Sequence, residues 1–234
     1  MRIGIFGGAF DPPHMGHLLA ATYFLACDPQ ARLLIVPSLR HPWDKQMAPY
    51  ATRLAWCRTL AKLLGPRARV STIEEAIKGT GRTLLVVRAL RKKFPKATFS
   101  IVVGADAYAG RAKWFEIENL ERESEWFVLG RGDAQADHLS IPEVSSHAIR
   151  ARLAAGDTCA GLVPEVILAQ VLESRAYSSA TSAGVSVGAL PQSALHTKRR
   201  RPARQKLARQ AKPAPHGAVP KSSRRRVRPD RSTP

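Results

Sequence analysis

Two histidines, His14 and His17, are the residues whose type and spacing point most directly to chemistry in this chain. They stand three residues apart at the start of an apolar helical pattern over residues 18–26. Residues with this spacing share one face of a helical turn. The start of a helix presents unpaired N–H groups and the positive end of the helix dipole, which attract anions. The spacing therefore predicts two imidazoles beside an anion-binding site.

The residues before the histidines predict the elements that position them. The apolar run Ile3–Phe6 is typical of a buried parallel strand. Gly7 and Gly8 follow it, where the backbone must turn tightly or approach a ligand closely. A strand, a glycine turn and a helix start form, in this order, a place where phosphate binds. The alternative interpretation is that both histidines are merely polar residues at a helix start.

The order of these residues resembles a known family. A Gly-x-Phe-Asp-Pro turn followed by His-x-Gly-His is similar to the signature of the nucleotidylyltransferase superfamily, and in particular of the bacterial nicotinate-nucleotide adenylyltransferases. The resemblance covers residues 1–177. It implies a Rossmann-like doubly wound parallel sheet. It also implies transfer of an adenylyl group from ATP to nicotinate mononucleotide in NAD biosynthesis, with Mg²⁺ bound mainly through the ATP phosphates.

The resemblance assigns roles to individual residues. It implies that His14 contacts the phosphates, that His17 stabilises the pentacovalent α-phosphorus, and that Arg150 holds the leaving phosphates. The residues that it implies for binding ATP and its phosphates are Gly7, Gly8, Phe10, Lys45, Gly104, Asp106, Ser145 and Ser146. It implies no protein ligand for a metal ion.

Three segments carry these assignments beyond the histidine turn. The run Pro42–Lys45 stands where the family usually has Pro-His-Lys, with a lysine near the ATP phosphates. The run Gly104–Asp106 resembles a Gly-Ala-Asp turn whose carboxylate accepts hydrogen bonds from ribose or fixes the turn. The run Val144–Arg150 resembles Ile-Ser-Ser-Thr-x-x-Arg, with His147 in place of the threonine. An arginine suits this position because its planar fork binds phosphate oxygens bidentately. The alternatives are a solvated Lys45 and a plain helix cap followed by an exposed arginine.

The acceptor side of the resemblance is less complete. The implied acceptor-binding residues are Thr80, Thr83, Trp114 and Phe115. Trp114 has the spacing of the family tryptophan that stacks on the pyridine ring, a flat ring that an aromatic face suits. A core tryptophan is the alternative. Gly79 and Arg82 replace the family's Tyr and Asp, so nicotinamide mononucleotide remains an alternative acceptor, as does another phosphorylated compound such as phosphopantetheine.

Strand-like and helical patterns alternate along the chain. The predicted strands are residues 2–6, 33–37, 69–72, 98–103 and 125–129, with a short last one at 138–141. The predicted helices are residues 16–26, 52–64, 83–94, 115–120, 148–155 and 164–174. This alternation predicts an α/β fold with a doubly wound parallel sheet, whose ligands bind outside the carboxyl ends of the strands.

The charge of the chain is unevenly distributed. The formal net charge is +19, and residues 185–234 contain 14 of the 37 Lys and Arg residues beside a single acid, Asp230. This composition cannot bury a core. We therefore predict a catalytic domain over 1–178 and a disordered basic tail over 179–234. The tail is expected to contact RNA or DNA nonspecifically or to act as a solubilising extension. A catalytically inactive, nucleic-acid-binding relative is the competing function.

The three cysteines, Cys27, Cys57 and Cys159, have no spacing typical of a zinc site. Cys27 and Cys57 lie in apolar helical patterns, which predicts buried free thiols and favours the reducing cytoplasm. Arg2 leads directly into the first strand, so no signal peptide is predicted. No apolar run approaches the roughly 18–20 residues that a membrane span needs, so no membrane association is expected.

Overall fold

A computed structural model describes residues 1–40, 46–131 and 140–177 of the chain. These residues form a six-stranded parallel sheet with the strand order β3-β2-β1-β4-β5-β6. The strands are β1 (Arg2–Gly8), β2 (Arg32–Pro37), β3 (Ala68–Val70), β4 (Thr98–Gly104), β5 (Glu125–Arg131) and β6 (Ser140–Ile141). The helices are α1 (Met15–Cys27), α2 (Tyr50–Leu64), α3 (Ile73–Ala76), α4 (Thr83–Lys93), α5 (Ala105–Ala109), α6 (Ile117–Glu123), α7 (Ser146–Ala154) and α8 (Glu165–Ser174).

Helices cover both faces of the sheet because the strands carry apolar side chains on both sides. On one face, Phe6 and Leu33 pack into a core formed with α1, α2 and α8. On the other face, Ile3 and Ile5 pack into a second core formed with α3, α4 and α6. This arrangement confirms the doubly wound parallel sheet that the alternating pattern predicts.

The strand order reverses its direction between β1 and β4, the two central strands of the sheet. In open sheets of this kind the crevice at that reversal, outside the carboxyl ends of the strands, is where ligands bind. Gly8 ends β1 and Gly104 ends β4, so both glycine-containing turns lie at this edge.

Close packing of α1 on β1 depends on Gly4. A Cβ atom at this position would lie 2.5 Å from Cε1 of Phe24, which real Cβ atoms do not tolerate. The absence of a side chain at Gly4 therefore lets α1 lie directly against the strand. This contact fixes where the start of α1, with its histidines, stands relative to the end of β1.

The structure differs from the sequence prediction at short elements and at helix ends. Helices α3 and α5 are not predicted, because four or five residues are too few to show a helical period. Helix α6 begins at Ile117 rather than at Phe115, because Glu116 adopts a left-handed conformation with φ of 46°. The predicted strand over 138–141 is described only as Ser140–Ile141.

The prediction that Cys27 is buried is wrong. Cys27 is exposed at the end of α1, whereas Cys57 and Cys159 are buried, and all three thiols are free. Helix α1 is apolar around most of its circumference, so its sequence does not mark the side that faces the core. The predicted Lys45 site and the predicted tail over 179–234 fall outside the described residues. Among the described helices, none is both long enough and apolar enough to span a membrane.

Candidate active site

The turn between β1 and α1 carries its strained backbone at Phe10 and not at a glycine. Phe10 is buried and has φ of 49°, in the left-handed region that non-glycine residues rarely adopt. Gly7 and Gly8 belong to β1, and a Cβ atom at Gly7 would meet nothing within 4 Å. The prediction that the backbone turns tightly at these two glycines is therefore wrong. The open space at Gly7 leaves room for a ligand to approach the backbone.

The two histidines lie side by side at the start of α1. His14 is the N-cap residue, and its backbone N–H donates a hydrogen bond to Nδ1 of His17 at 3.2 Å. The imidazole centroids are 3.8 Å apart. Because Nδ1 of His17 accepts a hydrogen bond, the proton of the neutral ring lies on Nε2. Nε2 of His17 is thus a hydrogen-bond donor suited to a phosphate oxygen.

The surroundings of the histidines hold their rings in place. The ring of His17 lies 4.8 Å from that of Phe10 and 5.8 Å from that of Phe6. A Cβ atom at Gly16 would come within 3.1 Å of the imidazole of His14. The glycine between the two histidines therefore leaves room for the ring of His14, which a Cβ atom would displace by a few tenths of an ångström.

The start of α7 packs against the turn that precedes the histidines. Ser145 is the N-cap residue and accepts a hydrogen bond from the backbone N–H of Ala148 at 3.2 Å. The hydroxyl of Ser146 donates to the carbonyl oxygen of Pro12 at 3.0 Å. Nη1 of Arg150 donates to the carbonyl oxygen of Asp11 at 2.7 Å. These bonds bring the second predicted phosphate-binding segment to the first one.

Asp11 is a buried carboxylate at the centre of this junction. Its Oδ1 atom accepts hydrogen bonds from the hydroxyl of Tyr177 at 2.6 Å and from the backbone N–H of Ala48 at 3.1 Å. Its Oδ2 atom lies 3.4 Å from Nη1 of Arg150. Buried Arg53 donates to the carbonyl oxygens of Ala48 and of Ala9, at 2.8 and 2.7 Å. Burial lowers the pKa of Arg53, and the carboxylate of Asp11 opposes that shift.

Three residues of this junction, Asp11, Arg53 and Tyr177, are absent from the site predicted by sequence. The Asp-Pro sequence could have indicated that Asp11 belongs to the site. A carboxylate beside a predicted phosphate site needs cationic or hydrogen-bonding partners. No local pattern indicates Tyr177, because 166 residues separate it from its partner.

The Gly104–Asp106 turn lies where the sequence predicts it, at the carboxyl end of β4. Gly104 is the N-cap residue of α5, and Asp106 lies exposed in the first turn of that short helix. The strand order reverses between β1 and β4, and β5 lies on the other side of β4. Gly104 pairs with Leu129 of β5, so this turn lies next to the end of β5.

The predicted acceptor residues form a second group at the core on the α4 side of the sheet. Trp114 packs edge-on against Trp126, with ring centroids 5.5 Å apart, and remains half-buried. The guanidinium of Arg82 lies 4.1 Å from the ring centroid of Phe115. Thr83 is the first residue of α4, and the hydroxyl of Thr80 accepts the backbone N–H of Arg82 at 3.3 Å. The structure thus joins the 80–83 segment to Phe115 through Arg82.

Gly79, which stands where the family has a tyrosine, lies in a turn that leaves no room for a side chain. Gly79 is buried with φ of 63°, and a Cβ atom there would lie 2.9 Å from Cδ2 of Leu39. Leu39 therefore fills the space that a side chain at this position would need. Buried Glu74 accepts backbone N–H groups of Gly81 and Leu39, which ties this turn to the end of β2. Burial raises the pKa of Glu74, and these hydrogen bonds oppose the shift.

Comparison with known proteins places this geometry in a family. The family model described as cytidylyltransferase-like matches residues 5–152. The chain is 37% identical over 181 residues to a probable nicotinate-nucleotide adenylyltransferase of Anaeromyxobacter dehalogenans, covering 75% of this chain and 96% of the relative. It is 34% identical over 180 residues to a probable nicotinate-nucleotide adenylyltransferase of Myxococcus xanthus, covering 76% and 95%.

Solved structures show the same fold. The nicotinic acid mononucleotide adenylyltransferase of Plasmodium falciparum, solved with NaAD, superposes with a TM-score of 0.64 at 16% identity, over 75% of this chain and 97% of that one. A second structure of that enzyme, solved with APC, gives a TM-score of 0.61. With the sequence relatives, these matches confirm the resemblance: the chain is a nucleotidyltransferase and belongs to the nicotinate-nucleotide adenylyltransferase family of cytidylyltransferase-like proteins.

Proposed function

We propose that this chain transfers the adenylyl group of ATP to nicotinate mononucleotide, forming deamido-NAD and pyrophosphate in NAD biosynthesis. The observation that carries the proposal is the position of the adjacent imidazoles of His14 and His17, 3.8 Å apart, at the turn that Arg150 of α7 contacts at the carboxyl end of β1. The relatives named as nicotinate-nucleotide adenylyltransferases support the choice of acceptor.

The chemistry is a displacement between two anions. A phosphate oxygen of nicotinate mononucleotide forms a bond to the α-phosphorus of ATP. The bond from that phosphorus to the bridging oxygen of the β-phosphate breaks, and pyrophosphate leaves with the electron pair. Catalysis of this kind consists of holding the reactants in line and neutralising charge as it develops.

The site residues divide this work by position. His17 presents its Nε2 proton to the oxygens of the α-phosphate, where the pentacovalent transition state forms. His14, beside it, contacts the phosphates, and Arg150 holds the leaving pyrophosphate with the part of its guanidinium that Asp11 does not occupy. Preorganised donors of this kind contribute most when charge develops in a site protected from water.

The remaining ATP contacts follow the edges of the strands. Open space at Gly7 admits the phosphates close to the backbone. Gly8 and the ring of Phe10, which lie next to each other, complete this part of the site. Ser145 and Ser146 contribute mainly through the start of α7, because the hydroxyls already bond to Ala148 and Pro12. Gly104 and Asp106 meet the nucleoside part of ATP, and Lys45 meets its phosphates.

The residues of the site suit a Mg²⁺ ion that is held by the substrate phosphates rather than by protein side chains. The site offers imidazole and guanidinium donors, and the part of the chain that the structure describes holds no cluster of three His, Cys, Asp or Glu residues able to bind a metal. The ATP phosphates would hold the ion, as is usual for Mg²⁺, and the ion would supply further neutralisation of their charge.

The acceptor is proposed to bind at the aromatic group. The faces of Trp114 and Phe115 suit a pyridine ring. Arg82, held over Phe115 at 4.1 Å, offers its charge to the nicotinate carboxylate, and Thr80 and Thr83 line the same turn. An acceptor without that carboxylate would not use this charge, which favours nicotinate mononucleotide over nicotinamide mononucleotide.

Two further proposals concern the surroundings of the enzyme. The three free thiols favour a reducing compartment, which in this case we take to be the cytoplasm. The basic residues after 184 would bind nucleic acid nonspecifically, with affinity that falls steeply as salt increases.

The experiment that tests the proposed function is pyrophosphate release by the full-length protein. Each assay contains ATP, Mg²⁺ and one acceptor: nicotinate mononucleotide, nicotinamide mononucleotide or 4′-phosphopantetheine. We expect release with nicotinate mononucleotide above the other two, and deamido-NAD as the coupled product. Folded protein that releases no pyrophosphate with any acceptor would overturn the proposal and favour the inactive, nucleic-acid-binding alternative.

A further inference from the structure

The described chain ends with a residue that reaches back to the first turn. Helix α8 closes at Arg175, whose φ of 52° turns the backbone in the left-handed direction. Two residues later the hydroxyl of Tyr177 donates to Oδ1 of Asp11 at 2.6 Å. The ring of Tyr177 lies 6.0 Å from that of buried Trp56 on α2. The tyrosine is thus anchored both by packing and by a hydrogen bond.

Every oxygen atom of Asp11 that faces this junction has a defined partner. The hydroxyl of Tyr177 and the backbone N–H of Ala48 both donate to Oδ1. Arg150 reaches both Oδ2, at 3.4 Å, and the main-chain carbonyl oxygen, at 2.7 Å. Two donors on Oδ1 fix the plane of the carboxylate, and that plane determines where Oδ2 meets the guanidinium.

Asp11 occupies only one end of the guanidinium of Arg150. Both contacts use Nη1, and among the described residues no acceptor is found for Nη2 or Nε. The side chain of Arg150 is 20% exposed, whereas that of Asp11 is 3% exposed. The arginine therefore has a buried, anchored end and an accessible end, the arrangement that bidentate binding of phosphate requires.

The phenol is suited to remain a donor in this position. Burial raises the pKa of Tyr177, and the neighbouring carboxylate of Asp11 raises it further. The hydroxyl is therefore protonated at neutral pH. A hydrogen bond from a neutral donor to a buried carboxylate is among the stronger ones in proteins.

We propose that Tyr177 and Asp11 are positioning residues that orient Arg150 toward the leaving pyrophosphate. The proposal rests on the proposed function for the identity of the leaving group. Tyr177 fixes the carboxylate of Asp11, Asp11 fixes Nη1 of Arg150, and the accessible end of the arginine is left aimed at the β- and γ-phosphates. The segment that follows α8 thereby contributes to a site whose histidines stand at the start of α1.

The test is the variant Tyr177→Phe in the full-length protein, which removes one hydroxyl and keeps the ring against Trp56. We expect kcat in the forward direction to fall about tenfold, the order expected for loss of a hydrogen bond to a charged group. In the reverse reaction, the KM for pyrophosphate rises by a similar factor, whereas the KM for the acceptor mononucleotide in the forward reaction stays within about twofold, because the contact is lost on the pyrophosphate side only.

A matched control separates positioning from general docking of α8. The hydroxyl of Thr59 on α2 bonds to Oε1 of Gln170 on α8 at 3.0 Å, at another point of the same interface. Thr59→Ala removes this bond without touching Asp11. We expect it to leave kcat and the KM for pyrophosphate unchanged, even where its unfolding temperature falls as far as that of Tyr177→Phe.

A double-mutant cycle tests whether the effect passes through Arg150. In the Arg150→Ala background, Tyr177→Phe is expected to have no further effect on the KM for pyrophosphate. Equal effects in both backgrounds, or wild-type kinetics of the single variant, would overturn the proposal. Should Tyr177→Phe not fold, Asp11→Asn replaces it in the cycle, since asparagine keeps the shape and the Oδ1 acceptor and removes the charge that Arg150 meets.

Pyrophosphate binding tests the positioning role of Tyr177 separately from the proposed function. Binding of inorganic pyrophosphate, measured by calorimetry, needs no acceptor mononucleotide. If nicotinate mononucleotide is not a substrate but pyrophosphate binding weakens in Tyr177→Phe and not in Thr59→Ala, the positioning role stands. If binding is identical in both variants and the wild type, the positioning role is wrong whatever the acceptor proves to be.

Discussion

The main-chain N–H of His14 donates to Nδ1 of His17, and the two rings lie 3.8 Å apart. This bond fixes both the orientation of the second imidazole and the ring nitrogen that carries its proton. The same hydrogen bond that caps helix α1 therefore leaves Nε2 of His17 as the donor of the ring. In the proposed mechanism, that nitrogen donates to a phosphate oxygen.

Replacing His17 tests this relationship. His17→Ala is expected to reduce kcat about 10²–10³-fold, the loss typical for one preorganised donor. The variant should remain folded, because α1 is held by its packing on β1 rather than by this ring. The measurement is pyrophosphate release together with thermal unfolding. Near-normal turnover in a folded variant would remove His17 from the mechanism.

Replacing Arg82 tests acceptor recognition. Arg82→Gln keeps a polar side chain over Phe115 and removes the charge, so the preference for nicotinate over nicotinamide mononucleotide should fall about tenfold. The ratio of kcat/KM values for the two acceptors measures this preference. Lys92→Gln, an exposed change in the last turn of α4, whose N-cap residue is Arg82, is the matched control and should leave the ratio unchanged. An unchanged ratio in Arg82→Gln would assign carboxylate recognition to other groups.

Gly79 tests the steric account of the altered turn. Gly79→Ala combines an unfavourable left-handed conformation with a contact of 2.9 Å to Leu39. Gly156→Ala has the same type of conformation, with φ of 81°, and open space around the new Cβ. We expect the Gly156 variant to lose about 1–2 kcal/mol of unfolding free energy and the Gly79 variant about 1–3 kcal/mol more.

Denaturant unfolding of both glycine variants provides the measurement. Equal losses would show that Leu39 moves aside freely and that backbone conformation alone accounts for the glycine. A larger loss at Gly79 would show that the turn and the end of β2 are packed against each other.

The cysteines differ in reactivity for a physical reason. Burial raises the pKa of the Cys57 thiol to about 12, so it carries almost no thiolate at pH 8. Burial also raises the pKa of Cys159, whereas Cys27 is exposed. Iodoacetamide at pH 8 should therefore alkylate Cys27 first, as read by peptide mass spectrometry. Cys27→Ser should remove the fast phase, and rapid labelling of Cys57 in native protein would contradict its burial.

The sequence predicts those features that local patterns encode. The alternation of strands and helices, the histidine pair at the start of α1 and the meeting of the two predicted phosphate-binding segments follow from periodicity and the resemblance. The catalytic and ligand-binding roles themselves stay predictions. Short helices such as α3 leave no periodic signal, and a helix as uniformly apolar as α1 does not reveal that Cys27 faces solvent.

Long-range contacts escape such patterns. Nothing near Asp11 indicates that Tyr177 is its partner, and nothing near Gly79 indicates that Leu39 fills the space beside it. The sequence also does not indicate that the strained backbone lies at Phe10, because a tight turn is expected at the adjacent glycines. These relationships exist only once the sheet has brought distant segments together.

The contact between Tyr177 and Asp11 also bears on the order in which the protein is made. Both histidines leave the ribosome early, but the partner of Asp11 follows 166 residues later. Domains emerge N-terminal part first, so a nascent chain displays the histidine turn well before the residues that complete its surroundings. The fully arranged site is therefore acquired late in synthesis, and an incomplete chain cannot carry it.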